Sequence, residues 1–480
     1  MRRVFSLLGV LLLALTGYAV ADAHDVVPGI LTLDRPVAVP TPLVSGTPAP
    51  VILPSPAATQ DGILQGTGSG APAPTAAGLA TAVAEASQDP ALQGGVGISI
   101  RDGVSGAELW ALDADTPRVP ASTVKVLSAL AVVDTLDLDA TMKTAVLAPR
   151  GSSDLVLVVG GDTLLSPDAG EPGSVVGRAG LGDLATQVVD ALALDRRKKV
   201  RVRLDLGYAP GQLIPTTWNP DDVREGFTDA VAMTGLATQR ARPRRPSPSD
   251  PAREVVDAFR KALAARGVLA ELLPEKTWTT PAPEGAQQLG VIESATYRDV
   301  LERALGVSDN ALMENLVRQA AAASSRPTTH QGDNAAYVVE RLEVHGVPRK
   351  GLLLKDASGL SPGQAVTAAT LSDVLRLAVT DSVPGLRGVI GGLPVAGLSG
   401  TLAGRFDDSA TGDVAGVPRA KTGTLRAGSA LAGTTVDADG RPLTFVVLVD
   451  DFPQTYGGTL RARAALDRIV AALTRCGCRR

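Results

Sequence analysis

Histidine occurs three times and cysteine twice in the 480 residues, and only 3% of positions are aromatic. His24 lies in a proline-rich stretch, and His330 and His345 stand outside every motif described below, so no Ser-His-Asp triad can be assembled. Cys476 and Cys478, in TRCGCRR, are too few ligands for a structural zinc site. One residue between them makes a strain-free bridge unfavourable, so the spacing predicts a mobile tail over 475–480. No other cluster suggests a metal. The net charge is −4, and no basic run extends beyond Arg196–Lys199, which leaves no electrostatic footprint for nucleic acid.

Long apolar runs are also scarce; the sequence has one, at its start. MRRVFSLLGVLLLALTGYAVADA joins two arginines to an apolar stretch ending in small residues, the pattern of an export signal over 1–23. An exported protein, extracytoplasmic in the cell envelope or secreted, is expected. Cleavage and retention as a membrane anchor both stay open at this length. Residues 24–76, rich in Pro, Thr, Ser, Ala and Gly, read as a semi-rigid spacer. GTGSG at 66–70 lacks the full glycine fingerprint, a preceding strand and a following helix, so it is not a nucleotide loop.

Folded sequence is expected from about Ala77. GVGISIRD and AELWAL alternate as a hairpin, and VPASTVKVLSALAVVDTL follows as an uninterrupted apolar helix with Pro120 just ahead of its start. Residues 141–290 are too many for a loop and contain strand-like DLVLVVGG and VRVRLDLG and the helix AREVVDAFRKALAARG, so they form an inserted domain. Two helices then flank VSDN, another spans LSDVLRLAV, and RAKTGTL, GSALAGTTVD and PLTFVVLVDD read as successive strands before a closing helix. One domain (77–140 and 291–474) is thus split around another.

Ser122 and Lys125 stand at i and i+3, on one helical face. A serine needs a base to become a nucleophile. A lysine amine can serve when burial or cationic neighbours lower its pKa, whereas a guanidinium stays protonated. Among the nine lysines only Lys125 has serine three positions earlier. S-x-x-K alone is weak, since about one or two are expected by chance at this length. Two further elements follow: Ser308-Asp309-Asn310 between two helices, and Lys421-Thr422-Gly423 on a strand. Each has a bland reading, the first as a helix cap and the second as a strand-edge charge, though Gly423 weakens a strand unless something must approach closely. The ordered trio is far less accidental than its parts.

At these residues, and in KDASGLSP, LPVAGLSGTLAGRF and KTGTLRAGSALAGTTVDADGRPLTF, the sequence resembles the serine penicillin-binding proteins and β-lactamases. It is most similar to the D-alanyl-D-alanine carboxypeptidase/endopeptidase group that carries a large insert between S-x-x-K and S-D-N. The resemblance spans about 77–474 and is loose in the insert. It implies an α/β protein of the α+β type, with a β-lactamase/transpeptidase-like antiparallel sheet flanked by helices and split by an inserted mixed α/β domain. It also implies hydrolysis of peptidoglycan stem peptides without a cofactor, and covalent inhibition by β-lactams. Ser122 would attack, Lys125 accept its proton, Ser308 relay a proton to the leaving amine and Asn310 hold the substrate amide. Lys421 would supply positive potential, Thr422 and Thr424 bind the terminal carboxylate beside Gly423, and the N–H groups of Ser122 and Thr424 form the oxyanion hole. Asp356 and Ser358 read as a tight turn rather than catalytic groups. Two rivals stand beside this reading: a β-lactamase or related esterase, and a non-catalytic wall-binding protein. The oligomeric state is not legible.

Overall fold

The computed structural model describes residues 70–92, 95–193 and 198–478. The export signal and most of the spacer lie outside them. Ten strands run through the described residues: β1 (Val96–Asp102), β2 (Glu108–Leu112), β3 (Thr141–Ala148), β4 (Asp154–Val158), β5 (Lys199–Asp205), β6 (Leu269–Leu272), β7 (Gln287–Thr296), β8 (Arg419–Leu425), β9 (Gly428–Val436) and β10 (Pro442–Asp450). The helices are α1 (Ala76–Ser87), α2 (Val124–Thr135), α3 (Leu181–Ala193), α4 (Pro220–Arg224), α5 (Pro251–Ala264), α6 (Tyr297–Gly306), α7 (Asn310–Ala323), α8 (Asp333–Val344), α9 (Ala368–Val379), α10 (Leu386–Gly391) and α11 (Tyr456–Arg475).

The first sheet has the order β2-β1-β10-β9-β8 and is antiparallel throughout. Its central strands are apolar nearly without a break because both faces are covered. Val446 and Leu448 of β10 enter a core shared with α2, α7 and α9, while Phe445, Val447 and Val449 enter another shared with α1 and α11. The result is helices, sheet, helices, as the family resemblance implied. Helix α2 is buried from Val124 through Val133, which explains its apolar character on every side. Lys125 and Ser128 are therefore polar intrusions into a dry helix, and each has a partner.

The second sheet, β6-β5-β4-β3-β7, is mixed: β3 runs antiparallel to β4 and β7, and β4, β5 and β6 run parallel. Its core joins Leu155, Leu157, Val202 and Leu204 to Leu184 and Val188 of α3 and Phe259 and Leu263 of α5. The chain enters this sheet through β3 and leaves through its neighbour β7. The two crossings are bonded, with the Tyr297 N–H donating to the Ala140 carbonyl at 3.0 Å and that of Arg298 to Leu138 at 3.0 Å.

Cys476 and Cys478 face each other across Gly477 with Cα atoms 5.1 Å apart. That separation lies within the range a disulfide spans. Cys476 is buried beneath α11, its carbonyl accepts from Ala438 N–H at 3.1 Å, and the Cys478 carbonyl accepts from Thr75 N–H at 2.8 Å. These contacts join the chain's end to the cap of α1. Among the described residues, no helix is long and apolar enough to cross a membrane.

Candidate active site

Ser122 lies in a short 3-10 turn, Ala121–Thr123, rather than in the first α-helical turn expected from Pro120. The turn feeds directly into α2, so the three-residue spacing still brings the two side chains together: Lys125 Nζ is 2.9 Å from Ser122 Oγ. The same amine lies 2.6 Å from Asn310 Oδ1 and 2.7 Å from the Ser358 carbonyl. The last two atoms can only accept. A neutral amine can donate to both and still offer its lone pair to Ser122, whose hydroxyl alone can reverse roles. Burial lowers the Lys125 pKa to about 8 against the opposing pull of Asp356, Asp309 and Glu314, so an appreciable fraction is neutral near physiological pH.

The motifs distant in sequence meet at this point. Asp309 caps α7 by accepting from Leu312 N–H at 2.9 Å, which fixes Asn310 at the helix start, so the tripeptide caps a helix while Asn310 Oδ1 faces Lys125. Ser308 Oγ accepts from Lys421 Nζ at 2.9 Å, and Lys421 also donates to the Thr422 carbonyl at 2.7 Å. Lys421 is fully buried, and its pKa is pushed down by burial and then by the charge of Lys125. Two residues hold backbone conformations uncommon for side-chain-bearing residues, Ala121 at φ 46 and Ser308 at φ 58. Such outliers gather where surrounding structure dictates geometry. Gly423 explains itself: a β-carbon there would lie 2.6 Å from the Pro120 carbonyl, so its absence lets β8 press against the turn that carries Ser122.

Ser122, Ser308, Thr401, Arg405, Thr422, Thr424 and Arg463 line one cavity of about 240 Å³. Thr424 is exposed at this cavity, whereas the Thr422 hydroxyl donates to Thr401 Oγ1 at 2.8 Å. No histidine lines it; His345 instead pairs with Asp134 at 2.8 Å.

Several supporting residues escaped the sequence reading. DASGLS is a tight turn, as expected, but it is also the lysine's floor. The Asp356 carboxylate accepts from the N–H groups of Ser358, Gly359 and Ser361 and from Trp218 Nε1. Glu314 Oε1 accepts from Ala357 N–H at 2.6 Å, and Ser128 Oγ donates to the Ala357 carbonyl at 2.6 Å. Burial and the neighbouring Asp356 raise the Glu314 pKa to about 7. Residues 206–250 return from the second sheet and brace α7. Arg240 pairs with Asp229 at 2.8 Å and with Asp309, Asn315 Nδ2 donates to the Ala232 carbonyl at 2.8 Å, and Arg318 Nη1 donates to the Val231 carbonyl at 2.8 Å. These pairings join residues far apart in sequence, and no local pattern marks them.

Known proteins share the frame in which this site is built. A carboxypeptidase DacB of Mycolicibacterium smegmatis is 36% identical over 85% of this chain and 86% of its own. A carboxypeptidase of Mycobacterium tuberculosis is 35% identical over 90% and 91%. A crystal structure of penicillin-binding protein 4 of Haemophilus influenzae, a protein whose complex with a β-lactam is also known, superposes with a TM-score of 0.64 over 81% of this chain and 99% of its own, at 18% identity. The model of the D-Ala-D-Ala carboxypeptidase 3 (S13) family matches residues 79–244 and 228–473, a span that takes in all three motifs and the insert between them, and the chain belongs to that family.

Proposed function

We propose that the protein is a serine-type D-alanyl-D-alanine carboxypeptidase, with endopeptidase action on the corresponding cross-links, that works on peptidoglycan stem peptides through an acyl-enzyme on Ser122. The observation that carries this reading is the Lys125 amine, buried, lowered in pKa and 2.9 Å from Ser122 Oγ.

In the first half-reaction neutral Lys125 accepts the Ser122 proton as Oγ bonds to the carbonyl carbon of the penultimate D-alanine. The resulting oxyanion sits between the N–H groups of Ser122 and Thr424, an arrangement in which one donor contributes about 3–4 kcal/mol to the transition state. Collapse breaks the C–N bond. The leaving amine takes a proton through Ser308, whose hydroxyl is held by Lys421. Asn310 spends its Oδ1 on Lys125 and presents its NH2 to the substrate's amide carbonyl. Thr422, Gly423 and Thr424 form the strand edge along which the substrate lies. Water then attacks the ester and releases Ser122 and the shortened peptide, with no cofactor in either half.

A β-lactam enters the same path, but its leaving nitrogen stays tethered to the acyl group and blocks deacylation. Peptidoglycan places the enzyme outside the cytoplasm, in keeping with the export pattern of residues 1–23. Release of D-alanine from a stem pentapeptide, measured with the purified protein, tests the reading. Ser122→Ala is expected to reduce release by at least about a thousandfold, as for loss of a catalytic nucleophile. Release unaffected by that substitution would contradict the assignment.

A further inference from the structure

Trp218 stands just ahead of α4, in the segment that returns from the second sheet. Its backbone N–H donates to the Pro215 carbonyl at 3.0 Å, and Asn219 after it caps α4. The indole is buried with Val231 and Ala311, and Val223 and Leu360 pack against them. A buried indole N–H needs an acceptor, and a backbone carbonyl is enough. Trp278, elsewhere in the insert, takes one: its Nε1 donates to the Leu273 carbonyl at 3.2 Å. Trp218 instead donates to a carboxylate, Asp356 Oδ2, at 2.9 Å.

Both contacts lead to the Lys125 amine. Asp356 accepts from the Ser358 and Gly359 N–H groups at 3.0 and 2.7 Å and from Ser361 N–H at 2.7 Å, which closes the turn whose Ser358 carbonyl lies 2.7 Å from Lys125 Nζ. Thr217, beside Trp218, brings its hydroxyl to 2.6 Å from Ser361 Oγ. Ala311 follows Asn310, whose Oδ1 is the amine's other acceptor at 2.6 Å. Burial lowers the amine's pKa, and of the groups that oppose it Asp356 pulls hardest, ahead of Asp309 and Glu314, while Lys421 faces it from β8. The indole N–H and Gln364 Nε2, 3.0 Å from Oδ1, are the side-chain donors that offset the Asp356 charge.

We propose that Trp218 is a positioning residue for acylation: through Asp356 and Ala311 the inserted domain holds both acceptors of the Lys125 amine in place and tempers the negative charge beside it. This rests on the reading of Lys125 as the base and gives the insert a part in that step which no sequence motif carries. Without the indole N–H, Asp356 pulls harder on the ammonium form, so the lone pair appears only at higher pH.

Trp218→Phe keeps an aromatic ring against Ala311 and Leu360 and removes the donor. The experiment follows the rate of benzylpenicillin acylation of the full chain by intact-protein mass across the Lys125 titration, with Trp278→Phe as control. In the wild type the rate should rise through about pH 8. Trp218→Phe is expected to move that midpoint up by about 0.5–1 pH unit, which slows acylation on its acid side about three- to tenfold, while the alkaline plateau keeps most of its height. Trp278→Phe should leave the midpoint in place. A midpoint that Trp218→Phe leaves unmoved, whatever happens to the plateau or to thermal stability, would reduce Trp218 to a packing residue. A downward move, or an equal upward move in both variants, overturns the inference as well. A wild-type rate that depends on Ser122 yet shows no rise through this range would instead overturn Lys125 as the base, and this inference with it.

Discussion

Gly359 stands so close to Ala121 that a β-carbon on it would lie 2.0 Å from the Ala121 carbonyl oxygen and 3.1 Å from Ser122 N. Its φ of 84 is also in the left-handed region. The turn under Lys125 and the turn that carries Ser122 are therefore in backbone contact, with no room for a side chain between them. Gly359→Ala must displace one of them. A shift of about 1 Å at a reacting group costs on the order of a hundredfold in rate, so benzylpenicillin acylation should slow by that factor. Stopped-flow or mass-spectrometric acylation rates check it.

The lone pair on Lys125 sets the pH dependence. Below about 8 the amine is mostly protonated and has no lone pair for the Ser122 proton. Acylation is expected to rise with pH through that value and level off above it. Asp356, Asp309 and Glu314 all favour the charged amine and Lys421 faces it from β8, so removing one negative charge must lower the midpoint. Glu314→Gln keeps an oxygen for the Ala357 N–H and should move the acylation profile to lower pH. A profile that stays in place, or moves up, would refute the role given to this amine.

Arg240 links the returning segment of the insert to the S-D-N junction. Burial alone would raise the Asp309 pKa, but Arg240 and the Leu312 N–H hold it below the usual carboxylate range. Arg240→Met leaves Asp309 and Asp229 as buried carboxylates without their cation, a change that typically costs about 3–5 kcal/mol. Urea denaturation should show that loss. Adding Asp309→Asn, which can still cap α7, should recover part of it, and strict additivity of the two losses would mean that the pair is not coupled.

The approach of Lys125 to Ser122 was legible because it is local, three residues apart at a helix start, and a 3-10 turn in place of an α-helical one still brings the two side chains to 2.9 Å. The apolar strands β9 and β10 were legible for a similar reason, since burial on both faces writes itself as an unbroken apolar run. Gly423 carried a correct hint, as a glycine that a strand tolerates only where something approaches. What stayed hidden depends on distant partners. Trp218 and Glu314 look like ordinary insert and helix residues until the fold seats one against Asp356 and the other against the Ala357 N–H. Arg240 was lost among many arginines, with only its tertiary partners to distinguish it. The bonds from Ala438 and Thr75 to the Cys476 and Cys478 carbonyls join residues far apart in sequence and leave no local mark either.

Intact-protein mass spectrometry after incubation with benzylpenicillin tests the central claim most directly. The account predicts a mass increase equal to the whole antibiotic, located on the peptide containing Ser122, persistent over time and absent in Ser122→Ala. An adduct that survives Ser122→Ala, or the absence of any adduct on a folded wild-type protein that also leaves the antibiotic intact, would contradict it.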